Sequence, residues 1–239
     1  MKLSIIEVGR VPERIADRFV SFPRKFMAMF EASGLPFAFE TVNVLDGQEL
    51  PDPSSLEGVV ITGSPAGVYE DHAWLDPLRA FIREAYAAQT PMVGICFGHQ
   101  IMADALGGTV QKSDKGWGLG RHSYNVVGRP GFMRDAPPTL AIACSHQDQV
   151  IVPPAEAEVI LASDFAPHAG LFYRSGKALS FQPHPEFSDG FAMALAEMRR
   201  DSVSEAQLDK ALASFANRSD SALLRDYIAR FLYQAAKPR

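Results

Sequence analysis

One run constrains this chain more than any other. The apolar stretch Pro91-Met92-Val93-Gly94-Ile95 leads into Cys96-Phe97-Gly98-His99-Gln100 and then into the helical spacing of residues 98–106. Gly94-Ile95-Cys96-Phe97-Gly98 is a G-x-C-x-G elbow between a strand and a helix, the setting that the analogous serine elbow requires. Its glycines allow a tight turn that a Cβ would block. The turn lifts the Cys96 sulfur clear of the backbone and sets it at a helix N-terminus, where free N–H groups and the dipole favour a thiolate. The N–H of Phe97 then points to where an oxyanion would form. The competing reading is a buried structural cysteine on a strand, the commonest fate of a free cysteine.

The elbow sits inside an alternating pattern. Strands are expected at Leu3–Val8, Phe37–Val44, Gly58–Thr62 and Pro91–Ile95, and helices at Phe22–Ser33, Asp76–Ala88 and Gly98–Leu106. Alternation of this kind predicts an α/β fold with a mostly parallel central sheet and helices on both faces. From Thr109 to Phe181 the pattern changes to strand and turn, with candidates at Thr109–Gln111, Arg121–Val127, Leu140–Cys144, Glu158–Ala162, Gly170–Tyr173 and Ala178–Phe181. This part reads as antiparallel or mixed and predicts a smaller antiparallel sheet. Past Pro185 the chain turns helical again over 187–200, 204–216 and 219–236. No repeat or long linker divides the chain. The expectation is one domain over 1–239, with a core at about 3–190 and a helical C-terminal extension over 191–239. That amphipathic tail suits either a packed extension or the face of a homodimer.

Composition excludes several classes. With 239 residues, 47% apolar and 21% charged, the chain is ordinary globular usage, not disordered or fibrous. A net charge of −5 gives no broad basic face for nucleic acid. Two cysteines exclude a disulfide scaffold and a thiolate-rich zinc site. His72, His122 and His168 have no ligand-like spacing, so no metal is assigned. The N-terminal apolar run is too short for a signal peptide, and no stretch approaches the roughly 18 apolar residues of a membrane span. A cytoplasmic protein with reduced thiols is expected.

A thiol nucleophile needs a base, and the base needs an orienter. Leu179-Ser180-Phe181-Gln182-Pro183-His184-Pro185-Glu186 supplies both types. On an extended chain, positions two apart share a face, and the two prolines favour extended geometry. Glu186 can therefore hold the His184 ring while His184 takes the thiol proton. A lone His-x-Glu is usually a surface loop; an elbow cysteine with a His-Pro-Glu, both at strand ends, makes that reading poor. His99 reads as a packing or hydrogen-bonding residue. Ser145-His146-Gln147-Asp148-Gln149-Val150 is either a plain loop or part of a site. Cys144 reads as core.

Taken together, Gly-Ile-Cys-Phe-Gly-His-Gln at 94–100 and His-Pro-Glu at 184–186 resemble the class I glutamine amidotransferases of the cysteine-triad type. Ile-Thr-Gly-Ser-Pro at 61–65 and Ser-His-Gln-Asp-Gln-Val at 145–150 support the match, which covers about residues 3–190. The middle segment is similar to the amidotransferase domain of GMP synthases and to stand-alone γ-glutamyl peptidases. The resemblance implies a flavodoxin-like sheet and a Cys96–His184–Glu186 triad. It implies an oxyanion hole from the N–H groups of Gly63 and Phe97, and substrate contacts from Gly63, Ser64, Gln100, Ser145 and His146. The implied reaction releases glutamate and ammonia from glutamine through a γ-glutamyl thioester, with no metal or organic cofactor. The chain departs from synthase-coupled relatives: the 53 residues after Glu186 are too few for the ATP-using domain to be expected among them, there is no G-x-x-x-x-G-K-[ST] loop, the helical tail is longer, and Gln182-Pro183 precedes the histidine where an aromatic residue is common. The alternatives are a glutaminase subunit feeding a separate synthetase, a free-standing γ-glutamyl peptidase, and a non-catalytic glutamine- or partner-binding relative. An α/β-hydrolase is disfavoured, because there the acid precedes the histidine.

Overall fold

The computed structural model describes residues 1–236, so the last three residues of the expected C-terminal extension, 237–239, lie outside the described residues. Eleven strands and six α-helices follow in chain order among these residues: β1 Lys2–Glu7, α1 Phe22–Glu31, β2 Ala38–Asn43, β3 Val59–Ile61, α2 Leu75–Ala87, β4 Met92–Ile95, α3 Phe97–Ala105, β5 Thr109–Lys112, β6 Gly118–Val126, β7 Thr139–His146, β8 Asp148–Val152, β9 Ala157–Ala162, β10 Gly170–Tyr173, β11 Ala178–Phe181, α4 Asp189–Glu197, α5 Glu205–Ala213 and α6 Ser221–Ala235. Nine strands form one mixed sheet in the order β2-β1-β3-β4-β11-β10-β9-β6-β7, and β5 and β8 form a separate antiparallel pair.

The strands β2, β1, β3, β4 and β11 run parallel. The central strands β3 and β4 are apolar and buried throughout, as a sheet covered on both sides requires, while the edge strand β2 is partly exposed. On one face Leu3, Ile5, Val60, Val93 and Ile95 pack against Phe26 and Phe30 of α1 and Leu224, Ile228 and Leu232 of α6. On the other, Ile6, Val59, Ile61 and Met92 pack against Leu78, Phe81 and Ile82 of α2 and Ile101 and Met102 of α3. β10, β9, β6 and β7 pair antiparallel and extend the same sheet from β11. This arm curls back, so that Ala143 of β7 bridges His184 beyond β11, with the His184 N–H donating to the Ala143 carbonyl at 2.9 Å.

Two local differences from the sequence reading have clear causes. The polar run at 145–150 is not a loop: Ser145 and His146 end β7, and Asp148 begins β8, whose backbone pairs with β5. Ladder partners from distant sequence override its weak strand propensity. The first tail helix starts at Asp189 rather than 187, because His184 stays bridged to β7 and the Ser188 hydroxyl caps the helix by accepting from the Phe191 N–H at 3.3 Å.

The apolar side of α6 is spent in the core, where Leu224, Ile228 and Leu232 have no exposed surface. No helix among the described residues is long and apolar enough to cross a membrane. Truncating Ile228 removes buried methyl groups and leaves a cavity. Ile228→Ala should therefore cost about 2–5 kcal/mol of unfolding free energy in a denaturant titration. An unchanged midpoint would show that α6 lies on the sheet without being part of its core.

Candidate active site

Three adjacent strand ends build the site. β3, β4 and β11 are neighbours in parallel register, with Ile61 opposite Gly94 and Gly94 opposite Ser180. Ligand sites of open α/β sheets form beyond the C-terminal ends of such strands. Here the chain leaving β3 carries Gly63, the turn from β4 to α3 carries Cys96, and β11 leads to His184. The Cys96 N–H donates to the Phe181 carbonyl at 2.8 Å, which ties the elbow to β11 directly.

Cys96 has φ +56° and ψ −105°, a left-handed conformation rare for a residue with a side chain. Such backbone costs about 1–3 kcal/mol and persists where its surroundings over-determine it. The flanking glycines do so: a Cβ at Gly94 would collide with the Gly98 carbonyl, and one at Gly98 with the Ile61 carbonyl. α3 therefore packs directly on β3 and β4, and Cys96 occupies the position before its first turn. A Cβ at Gly63 would stand 3.4 Å from Cε1 of His184 and 3.8 Å from Cβ of Cys96, so this backbone lies against both.

His184 and Glu186 meet as the extended spacing requires, with Nδ1 of His184 2.7 Å from Oε1 of Glu186. Both side chains are buried. The Phe187 ring stacks face to face on the imidazole, with centroids 3.8 Å apart and planes 10° apart, which fixes its tilt. Burial works against the charged imidazolium. The Glu186 carboxylate and the hydrogen-bonded Cys96 sulfur outweigh it and raise the His184 pKa to about 10. The imidazole so raised faces the Cys96 sulfur.

The other sulfur and the other buried imidazoles behave differently. Burial pushes the Cys144 thiol up to about 12, and it faces Tyr124. Burial pushes His99 and His146 down to about 3, so both are neutral rings. His99 pairs its Nδ1 with the Ser180 hydroxyl at 2.8 Å, the hydrogen-bonding part expected of it. No three His, Cys, Asp or Glu side chains among the described residues gather as a metal-binding set.

Cys96 and His184 open into a cleft of about 900 Å³, mouth included, also lined by Gly63, Ser64, Gln100, Ser145 and His146. Of the expected site residues, Gly63, Ser64, Cys96, Gln100, Ser145, His146 and His184 line this cleft, and Glu186 and Phe97 do not. Gln100 donates through Nε2 to the Asp148 carbonyl at 2.8 Å and to Oε1 of Gln182 at 3.1 Å, so β8 and the segment before His184 fix its amide. Nδ1 of His146 meets the Asp148 carbonyl at 3.0 Å, while its buried Nε2 has no protein partner.

Sequence reasoning missed two residues that touch this machinery. The sequence pattern places Phe187 only at the start of a helix. Lys25 of α1 is buried over the Phe191 ring, 3.9 Å from its centroid, and its charge faces Glu186. The apolar spacing of α1 hid Lys25, and nothing local in the sequence pairs it with a residue 161 positions later.

Comparison with known proteins agrees with this architecture. The family model for glutamine amidotransferase class-I matches residues 16–194. Gamma-glutamyl peptidase 2 of Arabidopsis thaliana is 30% identical, over 74% of this chain and 72% of its own length. A glutamine-hydrolysing GMP synthase of Aquifex aeolicus is 33% identical, over 54% of this chain but only 24% of that enzyme. A glutamine amidotransferase of Thermotoga maritima, known from its crystal structure, superposes with a TM-score of 0.77 over 99% of this chain and 98% of its own at 22% identity, a likeness of fold. A family match across most of the chain, on a sheet whose strand ends gather the elbow cysteine and the His-Pro-Glu histidine, places this chain in the class-I glutamine amidotransferase family.

Proposed function

We propose that the chain is a cysteine-dependent hydrolase of γ-glutamyl amide bonds, acting on glutamine and releasing glutamate and ammonia. The observation that carries this reading is that Cys96 and His184 line one cleft, with Glu186 holding the His184 ring at 2.7 Å.

In this mechanism the reaction begins from a Cys96 thiolate facing the His184 imidazolium. The Cys96 thiolate attacks the γ-carbonyl carbon, a C–S bond forms, and the carbonyl oxygen takes the negative charge. The N–H groups of Gly63 and Phe97 receive that oxygen; one such donor is commonly worth about 2.7–4 kcal/mol of transition-state stabilisation. As the C–N bond breaks, His184 passes its proton to the departing nitrogen and becomes neutral. Water then enters, His184 takes one of its protons, and the oxygen adds to the thioester carbon. The C–S bond breaks, and glutamate leaves with the thiolate–imidazolium pair restored. Glu186 holds the ring so that Nε2 faces the sulfur throughout. Gln100, Ser64, Ser145 and His146 line the space for the glutamyl group.

A second reading, that the substrate is a γ-glutamyl peptide, has its own support. The cleft continues past the glutamyl-sized space to Trp117, Leu195 and Arg199, more room than a departing ammonia needs. If instead the chain serves a separate synthetase, its glutaminase activity should rise when that subunit is added.

Cys96→Ser should abolish hydrolysis of glutamine by the purified chain while its circular dichroism stays unchanged; retained turnover would remove the nucleophile. His184→Ala should lower kcat by about 10²–10⁴-fold, the usual worth of a positioned acid–base group, and Glu186→Gln by less. The reverse order would overturn the assigned parts. The raised His184 also has a pH signature. Its imidazole should be doubly protonated at pH 7.5 by ¹⁵N NMR, while His99 and His146 are neutral. Cys96→Ser removes the facing negative charge and should lower the His184 titration point. A His184 signal that is neutral at pH 7.5 and indifferent to the serine would refute the ion pair.

A further inference from the structure

The cleft has a second chemical character away from the strand ends. Arg199, just beyond α4, lays its guanidinium on the indole of Trp117 with its carbon 4.0 Å from the ring. The backbone carbonyl of Trp117 accepts from Nε2 of Gln207 at 3.0 Å, so α5 steadies the platform. Leu195 and Phe187 continue the wall from this cation toward His184.

The cations of the cleft are not alike. Arg10 is neutralised by contact with Asp46, and Lys112 faces Glu70. Arg199 has no carboxylate within 4.0 Å among the described residues. Burial depresses its pKa, and no acid acts on it in return. Stacking uses the face of a guanidinium and leaves its N–H edges in plane, and those edges form the fork that matches a carboxylate in two parallel hydrogen bonds. A half-desolvated cation on an aromatic platform, lining the cleft of a nucleophile, is built to receive an anion.

We propose that Arg199 and Trp117 form a leaving-group subsite that selects γ-glutamyl compounds whose departing amine carries a free carboxylate: γ-glutamyl amino acids or short γ-glutamyl peptides. This rests on the thioester reading and specifies its substrate class. The bonds broken and the proton delivered by His184 are unchanged; an amino acid or peptide amine departs in place of ammonia. The elements that hold this subsite differ from those of the glutamyl space. Trp117 lies between β5 and β6, and Leu195 and Arg199 come from and just after α4, beyond His-Pro-Glu.

The test uses the purified chain with glutamine, γ-glutamyl-leucine and γ-glutamyl-leucinamide, the last two differing only in the terminal charge. The wild type should favour the free acid over the amide by at least about tenfold in kcat/KM, mostly through KM, the scale of a charge-assisted hydrogen bond. Arg199→Gln should bring the ratio to about one, and Arg199→Lys should restore part of it, since the charge returns without the fork. Equal use of acid and amide by the wild type, or an undiminished preference in Arg199→Gln, would overturn the subsite. Cys96-dependent hydrolysis of glutamine with neither γ-glutamyl compound cleaved would overturn the subsite and leave the thioester reading standing. Absence of Cys96-dependent hydrolysis of all three would bring down that reading itself, and the subsite with it.

Discussion

The backbone of Cys96 is held in a conformation that it would not adopt alone, and the site follows from what holds it. β4 is pinned between β3 and β11 by parallel ladders, and α3 is drawn onto those strands because Gly94 and Gly98 carry no side chains. The chain between strand and helix then has one way to turn, and the turn presents a sulfur. The same ladders carry Gly63 and His184 to the same edge. Strain at one residue is thus balanced by packing across three strands, as is common where a reactive group must be held out of the backbone.

A second constraint acts on the imidazole. His184 is fixed on three sides: its N–H by the Ala143 carbonyl, Nδ1 by Glu186, and its face by Phe187. Only Nε2 is left for the sulfur. The curl of the antiparallel arm matters here, since β7 lies at the end of the sheet order yet supplies the Ala143 bridge. The antiparallel strands therefore belong to the site as much as the parallel ones do. They return Ser145 and His146 to the cleft beside residues from the opposite end of the chain.

Much of this was legible in the residues. The elbow was readable because few contexts call for glycine on both sides of a cysteine between a strand and a helix. His184 and Glu186 were readable because a period of two on an extended, proline-flanked segment leaves little choice of face. The parallel half of the sheet followed from continuous apolar strands alternating with amphipathic helices. What escaped was set by distant partners. β8 has polar residues and becomes a strand only through β5. Lys25 and Phe187 owe their places to packing among α1, α4 and the His-Pro-Glu segment. Arg199 stacking on Trp117 joins residues 82 positions apart, with no local pattern to announce it.

The central claim is that the sulfur of Cys96 becomes bonded to the glutamyl carbon during turnover. The most direct measurement is to quench the working enzyme with acid during hydrolysis of isotopically labelled glutamine, digest it, and map the label by mass spectrometry. The account predicts a labelled γ-glutamyl group on the peptide that carries Cys96, absent after a chase with water alone. Continued hydrolysis with no label on that peptide, or with label on the Cys144 peptide instead, would contradict it.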